Sequence, residues 1–163
     1  MSASRRVARA VSAVLNTAPR HGEVSMVRLV QAVAENRHRP IEIQMEELPP
    51  GVCGQWRQYR DHDVFLIQQG LPAWDRTLAH ELGHLVLGHE GISVVDAARD
   101  STELVSDDLI SYMLNQRTGC MGPAGEDAEQ EAEDFAALLG HRLGRLRSDR
   151  SSIVQVRLGE AFG

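Results

Sequence analysis

Two histidines and one glutamate, His80, His84 and Glu81, have the types and the spacing that metal-dependent hydrolysis requires. Residues of a helix advance by about 100° each, so histidines four positions apart lie about 40° apart on one face. Two imidazoles placed in this way can share one tetrahedral zinc ion. Glu81 lies about 100° round the helix from His80, where its carboxylate can hold the water to be activated without binding the metal. The pattern H-E-x-x-H therefore predicts a catalytic metal site.

The same pattern also arises by chance, as two surface histidines on an ordinary core helix. Here its neighbours are apolar, namely Leu78, Leu82, Leu85 and Val86. An apolar helix has little other use for two histidines and a glutamate, because buried polar groups are costly unless they have partners. Gly83, between the histidines, would let another backbone approach closely. We therefore favour the metal site over the surface pair.

A catalytic zinc ion needs a third protein ligand and one open position. His89 follows closely, but on a continuing helix it would lie about 140° from the second histidine and point away from the metal. We interpret it as a cation favoured by the helix dipole or as a partner of a ligand. Two pairs of acids each share a helical face, Glu103 with Asp107 and Glu129 with Glu133. The first acid of a pair would bind zinc and the second would orient a ligand histidine, and spacing does not choose between the pairs.

Two segments of the chain together resemble the ImmA/IrrE family of zinc metallopeptidases. The first is TLAHELGHLVL at 77–87 and the second is EQEAEDFAALL at 129–139. The family has an AHELGHLLL-like helix and a second helix of the form E-x-x-A-(N/D)-x-F-A-x-x-L-L. The resemblance covers about residues 24–140. It implies these roles: His80, His84 and Glu129 as metal ligands, Glu81 as the catalytic base, and Glu133 as the partner of a ligand histidine.

The chain departs from the family pattern at two places. Glu133 stands where Asn or Asp is usual, and Gly140 and His141 follow Leu139 where the family has Met-Pro. The stretch between the two motifs is also longer than the family leads one to expect, which keeps Glu103 as the alternative metal ligand. As the cofactor, the resemblance implies one Zn²⁺ per chain, with Mn²⁺ as a substitute.

In function, the resemblance implies a gluzincin-like zinc endopeptidase that hydrolyses a peptide bond in a protein partner. That partner would be a co-encoded helix-turn-helix repressor or antitoxin, which places the protein in transcription regulation and the stress response. The alternative is a non-catalytic zinc-site module that regulates by binding a partner, and a third hypothesis is a small hydrolase of a non-protein amide. The intact Glu81 favours catalysis, because a binding module needs no base beside its metal. Tyr112 and His141 are candidates to stabilise the oxyanion, although packing is the simpler interpretation of each.

Composition limits the class of protein. The 163 residues suit one domain, and 42% hydrophobic residues are enough to form a core. No apolar run approaches the roughly 20 residues that span a bilayer. The net charge of −6 argues against direct nucleic-acid binding. Cys53 and Cys120 form no disulfide framework or CxxC motif. The N-terminal segment is interrupted by Asn16 and carries several arginines, so we interpret it as an amphipathic helix of a cytoplasmic protein and not as a secretory signal.

Hydrophobic periodicity predicts an α+β domain, and the resemblance implies that it is zincin-like. Helices are expected over 4–16, 25–36, 73–88, 102–116 and 126–146, and strands over 41–45, 53–59 and 64–67. The three strands would form a small antiparallel meander, with helices before it and with the H-E-x-x-H helix and further helices after it. We expect a single domain over 1–163, with its core at about 24–146 and a tail over 147–163 that ends in a strand or a loose segment.

Overall fold

The computed structural model describes residues 3–18, 24–90, 92–93 and 125–162, with side chains over 4–18, 24–90 and 125–148. The helices in these ranges are α1 (Ala3–Thr17), α2 (Met26–Arg37), α3 (Trp74–Leu87) and α4 (Glu126–Phe162). The strands are β1 (Ile41–Glu46), β2 (Gly54–Gln58), β3 (Asp63–Gln68) and the two-residue β4 (Ile92–Ser93). The predicted α+β class is confirmed. The helix expected over 102–116, with Glu103, Asp107 and Tyr112, lies outside the described residues.

The sheet has the strand order β1-β3-β2-β4, and the predicted antiparallel meander is wrong. Strand β1 runs parallel to β3, with Ile41 opposite Asp63, whereas β2 runs antiparallel to β3. The short β4 pairs in parallel with the outer edge of β2. The reason is the burial of β3, in which all five residues of 63–67 are buried. A strand buried on both faces belongs in the centre of a sheet, with a neighbour on each side.

The start of β3 is held by a buried carboxylate, that of Asp63, which is 0% exposed. It accepts hydrogen bonds from Arg39 Nε at 2.8 Å, Arg37 Nη1 at 3.3 Å and the Trp56 indole Nε1 at 3.1 Å. Its own backbone N–H donates to the Pro40 carbonyl at 2.9 Å. These bonds join the end of α2, the start of β1 and the middle of β2. The bonds from Arg37 and Arg39 and the bond to Pro40 fix the register of β1 against β3, since a slip of one residue between these strands would break them.

The helices pack on one face of this sheet around a common core. The large, fully buried side chains include Phe65 in β3, Leu29 in α2, Leu78 and Leu82 in α3, and Phe135 in α4. Helix α1 adds the valines of one stripe, Val7, Val11 and Val14, which are at most 3% exposed. Each of these side chains contributes roughly 1.5–3 kcal/mol by its removal from water. The H-E-x-x-H helix α3 is thus held between the sheet and α4.

Helix α4 is longer than predicted and runs to Phe162, so the expectation of a strand or a loose segment over 152–162 is wrong. No proline interrupts the sequence between Glu126 and Phe162, and the glycines alone do not end the helix. Two of its arginines make tertiary contacts: Arg142 donates to Ser12 Oγ at 2.8 Å and Arg147 to the Val24 carbonyl at 2.9 Å. None of the helices in the described ranges combines the length and the apolar character that crossing a membrane would need.

Candidate functional site

A close crossing of α3 and α4 brings the two predicted motifs face to face. Gly83 faces α4 at this crossing, and a Cβ atom built on it would lie 3.0 Å from Phe135 Cδ1 and 3.3 Å from Ala132 Cα. Glycine lets the two helices approach closely here, because a Cβ atom would require its neighbours on α4 to move by a few tenths of an ångström. Because Ala132 follows Glu129 by three residues, the crossing places the Glu129 carboxylate opposite the histidines of α3.

Three side chains meet at this crossing, and each offers one donor atom that could bind a metal ion: His80, His84 and Glu129. The Nε2 atoms of His80 and His84 are 3.0 Å apart. His80 Nε2 lies 3.2 Å from Glu129 Oε2, and His84 Nε2 lies 3.4 Å from Glu129 Oε1. The side chains of the three residues are at most 11% exposed. In a tetrahedral site with bonds of about 2.0–2.1 Å, the ligand atoms are separated by about 3.3 Å. The three residues therefore fit a divalent metal ion, and among the described residues Glu129 is the predicted acid at this position.

Glu81 lies beside the three donors, with its side chain turned toward strand β2. Burial raises the pKa of its carboxyl to about 7, although the charges of His80 and His84 and a hydrogen bond from the Trp56 backbone N–H oppose this rise. A Cβ atom on Gly54 would lie 2.7 Å from Glu81 Oε1 and 2.5 Å from Thr77 Cγ2. The glycine therefore leaves room for Glu81 between the helix and the strand. This arrangement puts a buried proton-accepting group next to the three donors.

Glu133 faces the outer nitrogen of His80. Its Oε2 atom lies 3.5 Å from His80 Nδ1, and its other oxygen is paired with Arg76. When His80 directs Nε2 at the three-donor site, its neutral ring carries the proton on Nδ1, which a nearby carboxylate stabilises. The structure thus brings Glu133 to the place where it can orient this histidine. Arg76, which holds Glu133, was not identified from the sequence, because an exposed arginine before the motif carries no signal of its own.

His89 does not point away from the site. The expectation is wrong because α3 ends at Leu87, and Gly88, with a φ of 71°, turns the chain back. The His89 N–H then donates to the His84 carbonyl at 2.9 Å, the bond that closes many glycine-capped helices. This turn places His89 Nδ1 3.0 Å from His84 Nδ1. Burial lowers the pKa of His89, so the ring is not the helix-end cation considered above but a hydrogen-bond partner of His84.

His141, the remaining sequence candidate that the structure describes, does not reach the His80–His84–Glu129 site. His141 is exposed and lines a cleft of about 300 Å³ with Asp75, Ala79 and Arg147. It follows Glu129 by more than three helical turns, a rise of roughly 18 Å along α4, which separates it from the site. The alternative ligand Glu103 lies outside the described residues. Within the ranges that the structure describes, the residues gathered at the site are thus those of the two motifs, together with Gly54, Trp56, Arg76 and His89.

Comparison of the chain with protein-family models, with curated proteins and with solved structures found no match in any of the three.

Proposed function

We propose that the protein is a zincin-like zinc endopeptidase that cleaves a helix-turn-helix regulator encoded beside it. The observation that carries the proposal is the spacing of the potential ligand atoms: the Nε2 atoms of His80 and His84 are 3.0 Å apart, and each lies 3.2–3.4 Å from one of the two Glu129 carboxylate oxygens. It matches the edge of a zinc tetrahedron with three protein ligands, and two imidazoles with one carboxylate are a common set for catalytic zinc. The resemblance of both motifs to one metallopeptidase family supports the same activity.

In this proposal the chain's own residues hold the metal and move the proton. A bound zinc ion supplies Lewis-acid chemistry, which polarises the peptide carbonyl and makes hydroxide available near neutral pH. Glu81 accepts the proton of the attacking water and then passes it to the nitrogen of the leaving amine as the C–N bond breaks. Glu133 keeps the His80 ring in the orientation that binds. Gly54 and the Trp56 backbone N–H keep the Glu81 carboxylate beside the metal.

The test compares wild type with Glu81→Gln, which has nearly the same size and shape but cannot accept the proton. Each protein, loaded with zinc or manganese, is incubated with the co-encoded regulator, and products are followed by gel electrophoresis and mass spectrometry. Wild type should cut the regulator in an accessible loop or linker, and Glu81→Gln should be slower by roughly 10²- to 10⁴-fold. Both proteins should bind one zinc ion. Glu35→Gln, on the exposed surface of α2, serves as the matched control and should cut like wild type.

Two results would contradict the proposal. Equal cleavage by wild type and Glu81→Gln would mean that Glu81 is not the base. An uncut regulator that forms a tight complex with both proteins would instead support the non-catalytic binding module.

A further inference from the structure

We propose that His89, Glu131 and Arg6 form a hydrogen-bonded chain that positions the metal ligand His84 and fixes which of its ring nitrogens carries the proton. The proposal rests on the metal site proposed above. The hydrogen-bonded chain begins at His84 Nδ1, which lies 3.0 Å from His89 Nδ1. It continues from His89 Nε2 to Glu131 Oε2 at 3.1 Å and ends at Arg6 Nη1, 3.0 Å from the same oxygen. The three residues are positioning residues, since none of them reaches the three-donor site.

The direction of each hydrogen bond follows from what the groups can donate. An ionised carboxylate only accepts, so a neutral His89 must carry its proton on Nε2 to bond to Glu131. Its Nδ1 atom then has a lone pair and accepts from His84 Nδ1–H. A neutral His84 with its proton on Nδ1 has a free lone pair on Nε2, the atom that faces His80 and Glu129. The charge on Glu131 therefore favours, through two rings, the tautomer of His84 that can bind a metal, and in the metal-free protein it acts against the Glu129 carboxylate, which lies 3.4 Å from His84 Nε2.

The contacts of Glu131 and Arg6, at the end of the hydrogen-bonded chain, explain why it can keep His84 in this tautomer. Glu131 is mostly buried, with 13% of its side chain exposed, and Arg6 pairs with its charge there. Arg6 also donates to the Leu87 carbonyl, one of the groups that a helix leaves without an internal partner at its C-terminus. One arginine of α1 thus joins α4 to the end of α3. The ring of His84 is fixed by residues from three helices and by the turn at Gly88.

The first test measures zinc affinity by competition with a chromophoric chelator for wild type, His89→Asn and His89→Leu. The two replacements are close in size, but only asparagine can accept the His84 proton, because its Oδ1 atom occupies about the place of the histidine Nδ1. His89→Leu should weaken zinc binding roughly 10- to 100-fold, as loss of a partner of a metal ligand typically does. His89→Asn should keep most of the wild-type affinity. If packing alone were important, leucine would be the better replacement, so equal affinities or a better leucine variant would overturn the proposal.

The second test leaves His89 unchanged and is carried out on metal-free protein. Long-range ¹H–¹⁵N NMR of histidine rings distinguishes the two neutral tautomers directly. Wild type should show the proton on Nδ1 of His84 and on Nε2 of His89. Glu131→Gln should give a mixture in both rings, because an amide can donate as well as accept. A His84 proton on Nε2 in wild type would overturn the proposal.

These outcomes are separable from those that test the metal site. If wild type bound no zinc while the tautomers were as stated, the metal site would be wrong and the hydrogen-bonded chain would stand. If wild type bound one zinc ion with His89→Leu equal to it, the metal site would stand and the positioning role would be wrong.

Discussion

Glu129 and Glu133 share one face of α4 but have different tasks at the site. Glu129 contacts the Nε2 atoms of both histidines, whereas Glu133 contacts only the outer nitrogen of His80. Replacing Glu129 by Gln removes a charged ligand, so zinc affinity should fall by roughly 100-fold or more. Replacing Glu133 by Gln leaves all three ligands and should cost about 10- to 100-fold. Metal analysis and competition titration of the two variants measure both effects.

A third variant, Glu103→Gln, decides which acid is the third metal ligand. If Glu103→Gln loses the metal and Glu129→Gln keeps it, the third ligand is the alternative acid. Equal and small losses for Glu129→Gln and Glu133→Gln would mean that neither carboxylate binds.

Asp63 shows how one buried side chain can hold several elements of a sheet together. Its removal leaves the Trp56 indole N–H and two arginines without their shared acceptor. Breaking a buried ion pair from one side typically costs about 3–5 kcal/mol, because an uncompensated charge stays behind. Asp63→Ala should therefore lower the free energy of unfolding by about 3 kcal/mol or more in denaturant titrations. Asp61→Ala, two residues earlier with 86% of its side chain exposed, is the matched control and should leave the midpoint unchanged.

The helices and strands within the described ranges were predictable to a large extent, because their signals are local. Apolar spacing and the prolines before β1 and before α3 fixed most boundaries to within one or two residues. The end of α3 was set one residue too late, at residue 88, and the direction of His89 was judged as if the helix continued through it. The left-handed glycine at Gly88 instead returns His89 to His84. Gly88 follows the last apolar residue, which is the usual place for such a cap.

The order of the strands was not predicted, because period-two alternation is the same in parallel and antiparallel pairs. Consecutive strands are usually neighbours, and this rule favoured a meander. A contrary signal was present in Val64, Phe65, Leu66 and Ile67, an unbroken apolar run that is typical of a central strand. Strand β1 alternates between partly buried and exposed residues over Ile41–Gln44, as an edge strand does. Comparing the two patterns would have placed β3 between β1 and β2.

The glycine at the crossing of α3 and α4 gives a sharp test of what brings the motifs together. In Gly83→Ala, the new methyl group would lie 3.3 Å from the Ala132 Cα, a backbone atom, so α4 must move away. Zinc affinity should fall by roughly 10-fold or more, since small displacements of a ligand misplace its donor atom. Gly144→Ala, also in a helix but with no atom within 4 Å, is the matched control. It should keep the affinity and raise the free energy of unfolding by about 1 kcal/mol through helix propensity.

A Gly83→Ala protein with wild-type zinc affinity would show that the close crossing is not needed for the site. Isothermal or chelator titrations of the two alanine variants, each corrected for the fraction folded, make this comparison.

The site as a whole draws on groups that are distant in the chain, and this explains what sequence reasoning missed. His80, Glu81 and His84 could be identified because they lie on one helix, and Glu129 because a second motif resembles that of a known family. Arg6 gave no such signal, because its contact with Glu131 exists only after α1 has packed on α4. Trp56 enters through its backbone N–H, a group that every residue but proline has.

A metal held by α3 and α4 should stabilise the entire fold. A ligand that binds only the folded state raises the free energy of unfolding by about 2.7 kcal/mol at a concentration of 100 Kd. For a chain of this length that corresponds to a rise in Tm of roughly 5–10 °C. Thermal unfolding with zinc, and again after a chelator is added, measures the difference. His80→Ala should show no such rise, and a rise equal to that of wild type would place the stabilising zinc elsewhere.

The position of β3 between its two neighbours also has a consequence for the order of folding. Strand β1 comes first in the chain, yet its partner in the sheet is β3, which is made last of the three. The hairpin of β2 and β3 closes through the short loop at 59–62, so its entropic cost is small, and β1 can add only afterwards. Ile67→Val in the hairpin should therefore slow refolding, whereas Ile43→Val in β1 should act mainly by speeding unfolding. Stopped-flow measurements of both rates test this order, which is the reverse of the order in which the ribosome delivers the strands.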